Sequence, residues 1–578
     1  MVNDSCVCIL DLLKSLVFRI FLLGIYSIGL YVGIYVSFLN VECNFYDIAC
    51  LLIDLLKISW ITTLPYLFLT HLGLFLFPPI YKKPYETIES YASKLNDGLI
   101  FRFVTRGTNP HLVRDNVAYA LKILRKTFLS IPNFKWNIEV VTDTYIDLEF
   151  DFDDTQSESG TPVSQTSNVS HRSQNLDNVH SITQIVVPQN YNPPNGVKYK
   201  GRALEYACRK SHANDNDWII HLDEETRFDE RTIQGIMLHA LKYQENPRIG
   251  QGPMIYGPDR INTNFSSLSD TWTTIQHWFT TLADSLRVVD DFGRFRLQFE
   301  YGTSWFGIKG SYIVCRSSVE KRIGFDHGPS SSITEDAFFA LHAVDLGIKF
   351  AYIDAFMYES SPFSIIDFLK QRRRWITGLW KVCTTPQINF TTRSPLILMM
   401  VFWSISFVSW ITFLVSAIFS TDIATGYSAI LGFILALTFG IYICGFLFSR
   451  PIYWIKTYGF HHWLIAFILQ ILGVPFFSML EGLSVLFWII YPASDKFDIV
   501  KKENETIIAN SMSMSQNQSR SIAGSVDSSI EISDSKSIGT TQEQSFRQIT
   551  QNVSEKASKT ISQMSMKTSS ESEIGEAK

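Results

Sequence analysis

The sequence predicts an α/β domain set between membrane-spanning helices. Two observations carry that reading. Apolar residues gather in the first 80 positions and again at about 395–491, and the polar block between them alternates strand-like with helix-like segments. A third observation concerns chemistry: His221-Leu222-Asp223-Glu224-Glu225-Thr226, Thr334-Glu335-Asp336 and Gln371-Arg372-Arg373-Arg374-Trp375 follow one another through that block.

Ile20–Leu39 and Ile58–Phe77 each approach the ~20 residues that cross a bilayer. The first lacks a small-residue cleavage site and is soon followed by the second, so it reads as a retained anchor. Leu396–Phe419, Tyr427–Phe448 and Leu464–Tyr491 follow, which makes about five spans. The last contains Gly473-Val474-Pro475, and the sequence allows one tilted helix, a kinked helix or a re-entrant pair. The expected domains are a membrane region at 1–80, a catalytic domain at 81–382, a second membrane region at 395–491 and a tail at 503–578.

Acidic residues Glu42, Asp47 and Asp54 lie in the connector between the first two spans, whereas Lys82, Lys83, Arg450 and Lys456 follow the second and fourth. By the positive-inside rule the middle block faces the cytosol. A net charge of -5 implies no nucleic-acid partner. The eight cysteines form no close metal-type pair in the middle block, while Cys43 and Cys50 face the lumen, as a pair or as two unrelated thiols. The 151–180 insert and the tail are Ser-, Asn- and Gln-rich without a buriable face, and both are expected to be disordered.

Within the block, Leu99–Thr105, Trp136–Thr142, Ile182–Pro188, Asp217–Leu222 and Phe350–Ile353 read as buried strands. The segments 111–128, 201–212, 230–243 and 335–347 read as helices. Such alternation predicts a parallel sheet with crossover helices, whose ligands sit at the carboxyl ends of the strands. Asp143 ends one strand and can accept hydrogen bonds from a nucleobase or ribose, or cap a turn.

Asp223-Glu224-Glu225 ends another strand. Adjacent carboxylates repel unless a cation neutralises them, and Mg²⁺ or Mn²⁺ bound through one or two carboxylates and substrate phosphates would do so. In extended backbone Asp223 and Glu225 share a side, which assigns both to the metal; the alternative is an acidic turn capping the helix at 230–243. Lys200 and Arg202 open a helix-like stretch and offer cations to phosphate, or form an exposed basic turn.

Glu335 and Asp336 fall in the first turn of an apolar helix, where the dipole favours ionised acids. Asp336 is the candidate general base, with Glu335 orienting it; helix capping by Thr334 is the alternative. At 363–381, Ile365, Phe368, Leu369, Arg372, Ile376 and Leu379 recur on one face, as in a helix on the membrane surface. There Gln371 and Arg374 suit diphosphate oxygens and Trp375 an apolar wall for an acceptor sugar, unless the run is a basic lipid anchor.

The ordered set resembles the family 2 inverting glycosyltransferases, which include cellulose, chitin and hyaluronan synthases. More closely it resembles the Egghead-type β-1,4-mannosyltransferases. That closer likeness rests on Val104-Thr105-Arg106-Gly107, the His221–Thr226 run, Thr281-Leu282-Ala283-Asp284-Ser285, Phe306-Gly307-Ile308-Lys309-Gly310-Ser311-Tyr312 and Ser361-Pro362-Phe363. The resemblance implies a GT-A (Rossmann-like) domain on the cytosolic face of the endoplasmic reticulum or Golgi, using GDP-mannose and a divalent metal. The implied acceptor is a membrane glycolipid, glucosylceramide, joined in β-1,4 linkage. A processive polysaccharide synthase using a UDP-sugar shares the motifs, although about five spans do not favour a wide channel. A non-catalytic membrane protein is the third reading, and the intact motifs argue against it.

Overall fold

The computed structural model describes residues 15–31, 56, 58–79, 86–148, 180–256, 268–418, 425–450 and 459–492. The tail from 503, nearly all of the 151–180 insert, the connector with Cys43 and Cys50, and Lys82, Lys83 and Lys456 lie outside them.

The nine strands described are β1 (Leu99–Thr105), β2 (Trp136–Thr142), β3 (His180–Val186), β4 (Trp218–Asp223), β5 (Ile249–Gln251), β6 (Met254–Tyr256), β7 (Ile313–Arg316), β8 (Phe350–Tyr352) and β9 (Met357–Glu359). Seven form one sheet in the order β3-β2-β1-β4-β7-β5-β8, and β6 pairs with β9 separately. Alternation along β1 explains its continuous apolar run. Phe101 and Phe103 face helices Pro110–Thr127 and Glu230–Lys242, while Ile100 and Val104 face Tyr199–Lys210 and Glu335–Asp345.

The expectation of a parallel sheet holds for β3, β2, β1 and β4 and is corrected at β7, which runs antiparallel to β4 and β5. The reason is the path of the chain. Lys309-Gly310-Ser311, at the cleft beyond the carboxyl end of β4, lead directly into β7, so the chain enters the sheet from that edge and must run down it.

Arg102, buried within β1, bonds Glu139 of β2 at 2.8 Å and Glu320 at 2.7 Å, and His221 of β4 meets the same Glu320 at 2.9 Å. Burial alone would raise the Glu320 carboxyl, but Arg102 and His221 hold it down at about 2. His221 is therefore part of the sheet's scaffold.

Among the described residues four helices are long and apolar enough to cross a membrane, Ser59–Leu76, Phe390–Thr412, Ile430–Ser449 and Phe460–Ile490, and Ser15–Tyr31 is apolar but shorter. The last is one continuous helix that includes Pro475, which excludes the re-entrant pair. Helix Ile365–Thr384, capped by the Ser364 hydroxyl on the Asp367 amide at 3.1 Å, buries Phe368, Arg372 and Ile376, as its periodicity predicts. Two glycines dock the catalytic domain onto spans. A Cβ on Gly73 would overlap the Gly293 carbonyl, and one on Gly445 would overlap that of Ser285. Gly73→Ala is expected to cost about 1–3 kcal/mol through forced separation of these backbones, read as a lower thermal midpoint of the detergent-solubilised protein; an unchanged midpoint would show that the contact yields freely.

Candidate functional site

The carboxyl ends of β2, β1 and β4 deliver Asp143, Thr105 and Asp223 to one edge of the sheet. All three residues border a cavity of about 660 Å³. From the opposite side, Glu335 and Asp336 reach it from the first turn of their helix, and Gln371, Arg374 and Trp375 from helix Ile365–Thr384. Lys200 and Glu225 line it as well. Every predicted site residue except Arg202 borders this space, and Arg202 joins it indirectly, donating to Asp143 Oδ1 at 2.6 Å.

Glu224 and Glu225 form a turn, so strict alternation ends at Asp223. Glu224 is nevertheless set apart. Thr105 Oγ1 donates to its carboxylate at 2.5 Å, and Asn116 Nδ2 donates to its backbone carbonyl at 2.6 Å. Capping of the next helix falls to Asp229, whose carboxylate accepts from Thr232 N at 2.9 Å, which frees the acidic run from that duty. Thr334 likewise makes no side-chain cap for its helix, and its buried hydroxyl has no partner.

Lys200 holds the carboxylates together. Its ammonium bonds Asp223, lies 3.6 Å from Glu335 and donates to the Gly310 carbonyl at 3.3 Å. A Cβ on Gly310 would stand 3.1 Å from both Lys200 Nζ and Asp336 Oδ2, so a bare backbone is what this crowding admits. Tyr199, which precedes the lysine, takes φ of 57°, a left-handed conformation rare outside glycine and concentrated at functional sites.

Burial pushes the Glu335 and Asp336 carboxyls up, and Lys200 opposes the shift in both. Burial also works against the charge of Lys200, but Asp223, Glu335 and Asp336 outweigh it and raise the ammonium. Arg374 is lowered by burial while Glu335, Asp223, Asp336 and Glu225 pull the other way. The site thus concentrates acids that ionise reluctantly and cations that stay charged.

As a cation site, Asp223 and Glu225 supply hard carboxylate oxygens, and among the described residues no third Asp, Glu, His or Cys closes a ligand group. That donor set fits a hard divalent ion completed by phosphate oxygens and water rather than a protein cage.

Sequence reasoning singled out Asp284 and Lys309 only within longer motifs and gave them no role. Asp284 is fully buried and accepts from Arg372 at 2.8 Å, with Arg287 at 3.5 Å. Lys309 pairs with Asp291 at 2.6 Å. The chain there is a π-turn at Asp291–Phe295, an irregularity common at functional sites and invisible to periodicity. Residues of the spans border the same cavity, among them Tyr66, Trp403, Trp410, Tyr442 and Ser478.

Residues 218–492 match the family described as glycosyl transferase family group 2. The chain is 31% identical over 468 residues to Beta-1,4-mannosyltransferase egh of Drosophila melanogaster, covering 79% of this chain and 89% of that protein. It is 30% identical over 426 residues to Beta-1,4-mannosyltransferase bre-3 of Caenorhabditis elegans, covering 72% and 81%. Among solved structures, S. aureus TarS 1-349 aligns over 70% of this chain and 95% of its own at 11% identity, and its TM-score of 0.27 carries no weight here.

Because Glu335 ionises at a cost in the folded state only, the folded protein binds protons more tightly than the unfolded chain, and stability falls as pH rises above the ordinary carboxylate range. Glu335→Gln should therefore raise thermal stability at pH 8.5 by on the order of 1–3 kcal/mol. The gain should fade toward pH 5, and a variant less stable at every pH would contradict it.

Proposed function

This chain belongs to glycosyl transferase family group 2, with the Egghead-type β-1,4-mannosyltransferases, and from that premise we propose that it transfers mannose from GDP-mannose to glucosylceramide in β-1,4 linkage. The observation that carries the membrane acceptor is the cavity itself. One space runs from Asp223, Glu335 and Asp336 to the tyrosines and tryptophans between apolar spans, so a lipid can keep its chains in the bilayer while its sugar reaches the carboxylates. The basic residues flanking the spans support a catalytic domain on the cytosolic side of the endoplasmic reticulum or Golgi.

Asp143, oriented by Arg202, accepts hydrogen bonds from the nucleoside. Asp223 and Glu225 would hold Mg²⁺ or Mn²⁺, which when bound neutralises the diphosphate. Lys200 and Arg374, with Gln371 on the same helix as Arg374, serve the remaining phosphate charge, while Arg202, outside the cavity, acts through Asp143. Negative charge grows on the diphosphate as the glycosidic bond stretches, so cations already in place stabilise the transition state more than the ground state.

Asp336 takes the proton of the acceptor hydroxyl. The hydroxyl oxygen forms its bond to the anomeric carbon from the side opposite the diphosphate, which leaves as GDP with the bonding electron pair, and the centre inverts. The raised carboxyl of Asp336 suits a base, since proton affinity grows with pKa. Glu335 orients it, its charge balanced by Lys200. Trp375 borders the path between the carboxylates and the spans, as a wall for the acceptor sugar.

Purified protein with Mn²⁺ or Mg²⁺, GDP-mannose and glucosylceramide should yield a lipid heavier by one hexose on mass spectrometry. A product ladder from a UDP-sugar, with nothing from GDP-mannose, would make the chain a polysaccharide synthase. Asp336→Asn should lower kcat by about 10²–10⁴-fold and leave donor affinity within a few-fold. Wild-type kcat should rise with pH through the elevated carboxyl ionisation, and Lys200→Gln should move that limb to higher pH, since the lysine holds the ionisation down; a limb left in place would remove Lys200 from that role.

A further inference from the structure

The last span, Phe460–Ile490, is predominantly apolar and carries a single acidic residue, Glu481. A carboxylate on such a helix is costly unless paired, and it marks function by default. Its partner is Arg372 of helix Ile365–Thr384, whose Nε and Nη2 meet Glu481 Oε1 at 3.1 and 3.0 Å. Arg372 is 1% exposed, and its fork is further occupied: Nη2 donates to Asp284 at 2.8 Å and Nη1 to Gln371 Oε1 at 2.6 Å. Three side-chain acceptors on a rigid planar group leave it one orientation.

The Arg372 guanidinium carbon lies 4.7 Å from the centre of the Trp375 ring, and that of Arg287, held by the same Asp284, also lies 4.7 Å away. Two cations and two carboxylates balance, so this cluster is neutral, and the indole is gripped by both guanidiniums. Glu481, Arg372 and Trp375 all border the cavity; of the residues given to the donor, Gln371 meets the cluster through its carbonyl oxygen, while Lys200 and Arg202 bond Asp223 and Asp143.

We propose that Glu481 is a positioning residue for the acceptor: through Arg372 it fixes the Trp375 indole where the membrane end of the cavity meets the catalytic end. Acceptor engagement then depends on the last span far more than donor engagement does; the donor side meets the cluster at Gln371. Glu481→Gln leaves the cluster with a surplus positive charge, and Arg372 loses the anchor that aims it. Glu481→Asp keeps the charge on a shorter arm and partly restores the aim.

The inference rests on the acceptor role given to Trp375 above, and two measurements separate the two. In the first, protein labelled with 5-fluorotryptophan gives a Trp375 fluorine resonance, assigned by its loss in Trp375→Phe, with no substrate present. Glu481→Gln should shift or broaden that resonance and Glu481→Asp should return it part of the way; a resonance that stays in place overturns the proposal. In the second, steady-state kinetics with GDP-mannose and glucosylceramide should show the acceptor KM of Glu481→Gln raised tenfold or more, with the donor KM within twofold and Glu481→Asp between. Donor and acceptor constants worsening in parallel would mark Glu481 as merely structural and overturn it. Absence of wild-type transfer would count against the substrate reading alone, because the fluorine measurement still decides the position of the ring.

Discussion

Close backbone contact between the catalytic domain and two spans is the constraint on which the rest of the molecule depends. Gly73 and Gly445 carry no side chain to keep Gly293 and Ser285 away, so the segment between Asp284 and Phe295 lies directly on the membrane helices. That segment supplies Arg287, Asp290, Arg294 and Phe295 to the cavity wall. Its docking turns what would be an open cleft at the sheet's edge into a passage toward the bilayer. A soluble acceptor needs no such passage; an acceptor anchored by hydrocarbon chains does.

The second constraint is charge. Asp223, Glu225, Glu335 and Asp336 crowd one end of the cavity with Lys200 and Arg374 among them. Such a group repels itself unless positive charge joins it, which suits the cation and the nucleotide diphosphate proposed above. Lys200 has a double part: it offsets the negative charge of the acids around it and opposes the upward shift of both the Glu335 and the Asp336 carboxyl. The Arg102–Glu139–Glu320–His221 network, buried behind the cleft, contrasts with it. Its one arginine faces two carboxylates and His221 shares the second of them, which ties β1, β2 and β4 together at the register that brings Asp143 and Asp223 to the same edge.

The acidic run after β4 shows how a functional site displaces ordinary local duties. Capping of the following helix is left to Asp229, four residues beyond Glu225, and Glu224 is turned into the fold to hold Thr105 and Asn116. Helix Ile365–Thr384 works similarly. Its buried polar residues are Asp367, at the N-terminal cap, and Arg372, which ties the Gln-x-x-Arg-Trp motif to the last span.

By itself the sequence determined β1 and β2 to the residue, the helices that cover them, four of the spans and the charge clusters that line the cleft, because each rests on a pattern repeated over seven or more neighbouring positions or on charges contiguous in the chain. Strands β5, β6, β7 and β9 escaped it, since three or four residues carry little period, and the equally short β8 was legible only as the apolar run Phe350–Ile353. The direction of β7 depends on where the chain returns from the membrane-docked segment. Nor does any local pattern show that Arg372 meets Glu481, 109 residues away, or that Lys200 meets Asp223 and Glu335. Only the tertiary structure decided those pairings and the continuity of the cavity with the spans, because a charge in the interior chooses its partner by desolvation and proximity across the whole fold, not by position along the chain.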